Sequence, residues 1–141
     1  MRVLIDTNIA LDFLLQREPF FQDANRLFQA INDEDIVGYV TATTVTDIFY
    51  IARRHAQSIE LARQAVSEIL TTMSICLVDQ AVLELAFNSG LDDFEDAVQI
   101  FSASAQGLEA IVTRDAQGFL SSPIPDCPFR SCCSSSDNKS K

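Results

Sequence analysis

Histidine is nearly missing from this chain, which has one, His55, in 141 residues. A zinc site would therefore have to rest on cysteine. The four cysteines are badly placed for that, because Cys76 lies in an apolar run while Cys127, Cys132 and Cys133 crowd into the C-terminal segment. Adjacent Cys132 and Cys133 also make a poor disulfide framework, so buried or free thiols are expected. Long hydrophobic runs are lacking as well. No stretch approaches membrane-spanning length, and Met1-Arg2-Val3-Leu4-Ile5-Asp6 meets a carboxylate after three apolar residues, which is no signal-peptide core. The expectation is a cytoplasmic protein with no membrane partner. Positive charge is scarce: 10 Lys and Arg stand against 20 Asp and Glu, for a net charge of −10. No excess of basic side chains is left to neutralise phosphates directly. Either carboxylates gathered in a cleft bind divalent cations that present positive charge to a phosphate, or the acidity serves solubility alone. The pattern of the acids has to decide.

With 48% hydrophobic and 21% charged residues, the chain is long enough for one domain with a substantial core. Residues 3–5 read as a buried strand that runs through the capping residues Asp6-Thr7-Asn8 into a helix carrying Ile9, Leu11, Phe13, Leu14 and Leu15. Pro19 suits a first helical turn, and Phe20, Ala24, Leu27, Phe28 and Ile31 continue at helical steps to Asn32. A second strand is predicted over 36–40, a helical pair over 43–55 and 58–73, and a third strand over 74–78. Helices follow over 80–88 and 95–106, the latter closed by Gly107, and a fourth strand over 110–113. This alternation predicts an α/β fold: three layers, α/β/α, around a mostly parallel sheet of four or five strands. Residues 1–125 form the predicted domain. Residues 126–141, rich in Ser and Cys and without apolar periodicity, are expected to be a disordered tail.

Ligands of open parallel sheets bind beyond the carboxyl ends of the strands, near the point where strand order reverses. Asp6 and Asp115 each follow an apolar strand, so pairing of the first and fourth strands would bring them to one rim. Asp96 lies in Asp92-Asp93-Phe94-Glu95-Asp96 at a helix start, where the dipole alone favours acids. Asp93 reads most simply as the N-cap, with Asp96 in the position of a capping-box acid. Asp47 interrupts an otherwise apolar helix on the side of Thr43, Tyr50 and Arg54, and its alternatives are a functional acid or an exposed ion pair with Arg53 or Arg54. Converging carboxylates repel one another by about 4 kcal/mol at ~4 Å and an effective dielectric near 20, a penalty a divalent cation removes. Hard oxygen donors suit Mg²⁺ or Mn²⁺, as one or two ions, and hence phosphoryl-transfer chemistry. Arg114 beside Asp115 is the best candidate to grip a phosphate. The phenylalanines fall at helical spacing as core or dimer-interface residues, and His55 reads as a helix C-terminal cation or a surface residue.

Four segments together resemble the PIN domain family, in the group that includes VapC-type toxins: Val3-Leu4-Ile5-Asp6-Thr7-Asn8, Thr46-Asp47-Ile48-Phe49-Tyr50, Asp93-Phe94-Glu95-Asp96-Ala97 and Ile111-Val112-Thr113-Arg114-Asp115. The resemblance covers about residues 1–125. It implies that Asp6, Asp96 and Asp115 are metal ligands and that Asp47 completes the catalytic acids, in a place where many members carry Glu. Asn8, Asp93 and Thr113 take supporting roles. It further implies endonucleolytic cleavage of RNA leaving a 5′ phosphate, frequent homodimers and, for toxin members, a small antitoxin partner. Two other readings compete: a PIN-like module that binds RNA or protein without cutting, and a phosphatase with an aspartyl nucleophile. The phosphatase would want a second acid two residues after Asp6, where this chain has Asn8.

Overall fold

The structure is a computed structural model that describes residues 1–114 and the strand Asp126–Cys127. Its elements run β1 (Arg2–Ile5), α1 (Thr7–Leu14), α2 (Phe21–Asn32), β2 (Val37–Thr41), α3 (Ala42–Ala56), α4 (Ile59–Thr72), β3 (Ser74–Cys76), α5 (Gln80–Phe87), α6 (Phe94–Gln106), β4 (Ala110–Val112) and β5 (Asp126–Cys127). The sheet order is β3-β2-β1-β4-β5 and every pairing is parallel, so the fold is α/β with a five-stranded parallel sheet. The expected boundary after residue 125 is corrected in one respect. Asp126 and Cys127, assigned to the tail, pair with Ile111 and Val112 as an edge strand. The other residues of that tail lie outside the described residues.

Strand alternation separates two apolar layers. Val3 and Ile5 of β1 face one cluster with Ile9, Leu11, Leu27, Phe28, Ile48 and Ile69, which come from α1 to α4. Leu4, one residue out of phase, packs with Ile100, Ala103 and Ile111 on the side of α6. Phe13 of α1 stacks on Phe28 of α2 with ring centroids 3.9 Å apart, fixing that helix pair. Helix α2 starts at Phe21, later than the proline suggested, because Phe20 closes a turn by donating its N–H to the Arg17 carbonyl. At Gly38 of β2 a Cβ would meet Met73 Sδ at 2.5 Å and Ile31 Cδ1 at 2.8 Å, so the ends of these two side chains pack in the space the glycine leaves open. Among the described residues no helix is long and apolar enough to cross a membrane.

The chain moves from β1 outward to β2 and β3, then returns through α5 and α6 to β4 on the other side of β1. The switch point therefore falls between β1 and β4, where the Asp6 N–H donates to the Val112 carbonyl at 3.0 Å.

Candidate active site

Asp6 occupies the N-cap of α1, in extended conformation, yet its side chain makes no capping hydrogen bond. Both carboxylate oxygens are instead held from across the switch point. Gln99 Nε2 of α6 donates to Oδ1 at 3.2 Å, and Thr113 Oγ1, just after β4, donates to Oδ2 at 2.8 Å. With 6% of its surface exposed, Asp6 is a nearly buried acid fixed by two long-range partners. Asp93 shows the contrast. It is the N-cap of α6, and its Oδ1 accepts from the Asp96 N–H at 3.0 Å, so its carboxylate does the capping work expected of it.

A chain of hydroxyls connects three helix N-termini. Thr41 Oγ1 caps α3 by accepting from the Thr44 N–H and also bonds the Thr44 hydroxyl at 3.0 Å. Thr44 Oγ1 lies 2.9 Å from Thr7 Oγ1 in the first turn of α1, and Thr7 in turn donates to Glu95 Oε1 at 3.3 Å. Thr7, Thr41 and Thr44 are all buried. Glu95, in the first turn of α6, also shares a hydrogen bond with Asp47 from the second turn of α3. Burial of the carboxyl raises the Glu95 pKa to about 7, aided by that bond and by the charges of Asp47 and Asp6, while Thr7 opposes the shift. In its neutral form Glu95 can therefore donate to the Asp47 carboxylate, and near pH 7 Glu95 readily gains or loses that proton.

The structure accordingly gathers Asp6, Asp47 and Glu95 at the carboxyl end of the sheet. Asp47 forms no ion pair with Arg53 or Arg54 among the described residues, and those two cations with His55 fill the last turn of α3. Asp96 sits half-buried in the same helical turn as Glu95. Asn8 is exposed and makes no side-chain hydrogen bond among the described residues; the support expected of it comes from Gln99 and Thr113. Asp115 lies outside the described residues.

Arg114 requires a correction. Its Nε and Nη2 donate to the two oxygens of Asp12 at 2.8 and 3.2 Å, and its guanidinium lies 3.9 Å over the Phe20 ring. Asp12 is fully buried, with Arg17 at 3.7 Å as a second cation. Burial raises the Asp12 pKa, a shift that Arg114 and then Arg17 oppose. Arg114 is therefore the counter-ion of a buried acid, not a free phosphate grip, because such a carboxylate demands a partner. Four participants escaped notice in the sequence: Asp12, Glu95, Gln99 and Thr44. Asp12 within Ile9-Ala10-Leu11-Asp12-Phe13-Leu14 and Gln99 within Ala97-Val98-Gln99-Ile100 were visible as polar residues inside apolar helical runs, the signal of a buried polar contact.

The donor chemistry suits a hard divalent cation, since every acid here offers oxygen and the Asp47–Glu95 contact is strained when both are ionised. Among the described residues, however, no three carboxylate, histidine or cysteine side chains alone form a metal cage.

A family model described as a PIN domain matches residues 2–117. No curated protein matches significantly. Among solved structures, Mycobacterium tuberculosis VapC20, described as a toxin cleaving the sarcin–ricin loop, superposes with TM-score 0.70 at 15% identity, over 89% of this chain and 99% of its own. VapBC2 from Rickettsia felis, bound to a DNA fragment from its promoter, gives 0.66 at 13% identity, over 89% of this chain and 96% of its own. A toxin–antitoxin complex from Klebsiella pneumoniae gives 0.62 at 23% identity, over 86% and 92%. At these identities the likeness is one of fold.

Proposed function

The chain belongs to the PIN domain family, and from that premise we propose that it is a Mg²⁺- or Mn²⁺-dependent endoribonuclease, the toxin of a toxin–antitoxin pair. The observation that carries the reading is Asp6: an acid at a helix N-cap that does no capping, is pinned on both oxygens from α6 and β4, and faces Asp47 and Glu95. A merely solubilising acid has no need of two buried donors 93 and 107 positions away.

In this reading Asp6, Asp96 and Asp115 hold one or two ions, with Asp47 completing the acidic set. When bound, the cation supplies positive charge to the phosphodiester and lowers the pKa of an attacking water. The protein's own groups do the rest. Gln99 and Thr113 fix the Asp6 carboxylate so that its remaining lone pairs face the cleft. Glu95, bonded to Thr7 and Asp47, is the group placed to accept a proton from water or return one to the leaving oxygen. The cation also answers the net charge of −10, because phosphate is met by metal and not by a basic surface.

The partners are an RNA substrate, a small antitoxin and a second copy of the chain. A structural neighbour described as a toxin–antitoxin complex supports the antitoxin. The homodimer is supported by exposed apolar side chains on and beside α5, where Leu77 is 72% and Phe87 79% exposed. The decisive experiment incubates defined RNA with the protein and Mg²⁺ or Mn²⁺, beside the Asp6→Asn variant and an EDTA control. Metal-dependent 5′-phosphate products should fall roughly a hundredfold or more in the variant. Cleavage that survives the substitution or the chelator unchanged sinks the assignment, and a folded protein that binds RNA without cutting it establishes the inactive-module reading.

A further inference from the structure

A cavity of about 300 Å³ opens between α1, α2 and the end of β4, beside Asp6. Thr113 lines it while holding Asp6 Oδ2, so the cavity and the acidic cluster share a side chain. A group seated there lies against the same Thr113 side chain that holds Asp6. Ile9 and Ala24 make its wall apolar. Phe20 lies beside them and carries the Arg114 guanidinium 3.9 Å over its ring.

The polar groups of this cavity differ in what they have left to give. Asp12 is committed to Arg114 and Arg17. Arg114, its charge matched by Asp12, has spent Nε and Nη2 but keeps Nη1 as a donor among the described contacts. A neutralised guanidinium layered on an aromatic ring suits a flat heteroaromatic ring better than a phosphate. Asp23 is half-buried, forms no ion pair among the described residues and can only accept hydrogen bonds.

Resting on the ribonuclease reading, we propose that this cavity is a nucleobase subsite that selects guanine beside the scissile phosphodiester. Guanine alone among the RNA bases presents an acceptor, O6, followed by two adjacent donor groups, N1–H and N2–H. Arg114 Nη1 serves the first and the Asp23 carboxylate the other two, with the ring against the apolar wall of Ile9 and Ala24. Uracil offers one donor flanked by acceptors, and cytosine and adenine present no second donor for the carboxylate.

The test is an NMR titration of the isotope-labelled full chain with GMP and, separately, UMP, repeated on Asp23→Asn and Phe20→Leu, neither of which breaks the Asp12 pair. GMP should shift the amides of Phe20, Asp23 and Thr113 with roughly tenfold higher affinity than UMP, and Asp23→Asn should abolish the difference. Mapping of cleavage products should place guanine at a fixed position from the cut, a preference the Asp23→Asn variant loses. GMP and UMP binding alike, neither binding, or an unchanged cleavage profile in Asp23→Asn overturns the subsite. RNA cleavage with a base-indifferent cavity removes this inference and leaves the nuclease; guanine selectivity in a protein inert toward RNA does the reverse.

Discussion

Arg114→Leu is the substitution whose consequences the structure constrains most closely. It leaves the fully buried Asp12 carboxylate with only Arg17, at 3.7 Å, and removes two charge-assisted hydrogen bonds of 2.8 and 3.2 Å. Breaking a buried pair from one side costs about 3–5 kcal/mol. An escape route bounds that loss, because Asp12 can take up a proton: neutralising a carboxylate at pH 7 costs about 4 kcal/mol, from roughly three pKa units at 1.36 kcal/mol each. With Arg17 retained, a loss of about 3 kcal/mol is expected, or a fall in melting temperature of roughly 12 °C for a domain of this size. The sign with pH follows from the direction of the Asp12 shift. Its folded-state pKa is already raised by burial, and removing Arg114 raises it further, so the folded variant binds more protons than the unfolded chain over a wider range. The stability gap to wild type should therefore widen as pH rises and shrink in acid, as the pH falls toward the ordinary carboxylate value of 3.8. Denaturant unfolding followed by circular dichroism across that range measures it, with Asp12→Leu/Arg114→Leu as the companion. The double variant should recover most of the loss, since it leaves no charge stranded. A gap under about 1 kcal/mol, a pH-independent gap, or a double variant no more stable than the single one would refute the argument.

Gln99→Leu should separate stability from function. Among the described residues the wild-type amide leaves Oε1 buried with no partner, so its removal changes stability by no more than about 1 kcal/mol; Mn²⁺ affinity by calorimetry should drop roughly tenfold, and an unaltered affinity argues against Gln99 orienting Asp6. Gly38→Ala forces a Cβ toward Met73 and Ile31 and should cost about 1–3 kcal/mol in urea unfolding, with a neutral result showing that α4 yields freely. Because the Glu95 pKa sits near 7 against an ordinary value of 4.5, metal-free protein should lose stability as pH rises through that window. Asp47→Asn should flatten the loss, by about 1 kcal/mol after allowance for screening of the exposed Glu95; identical pH profiles for the two proteins would count against the contact. Phe87→Asp should convert a dimer to a monomer in light-scattering chromatography, whereas an unchanged mass would place the second copy elsewhere.

What the sequence disclosed and what it concealed divide along a physical line. Strand and helix order was readable because burial on two faces imposes continuous apolar runs on β1 and β4, and burial on one imposes helical spacing on α2 to α4. Asp6 was readable for the same reason, as the first polar residue after a buried strand. Glu95 was obscured by its neighbours: five near-consecutive positions at the start of α6 hold four acids, and sequence spacing does not say which of them turns toward Asp47. The helix resolves this by rotation. Gln99 lies one turn beyond Glu95, so the side of α6 that brings the amide to Asp6 also brings Glu95 to Thr7 and Asp47. Arg114 was misread for a converse reason. Its position beside a metal-binding motif suggested phosphate, whereas the stronger demand came from Asp12, 102 positions earlier, a carboxylate that apolar neighbours bury and that only a cation can hold there. A charged residue inside an apolar helical run carries a debt that some distant residue must settle, and in this chain that residue also holds the end of β4, and with it Thr113, against Asp6.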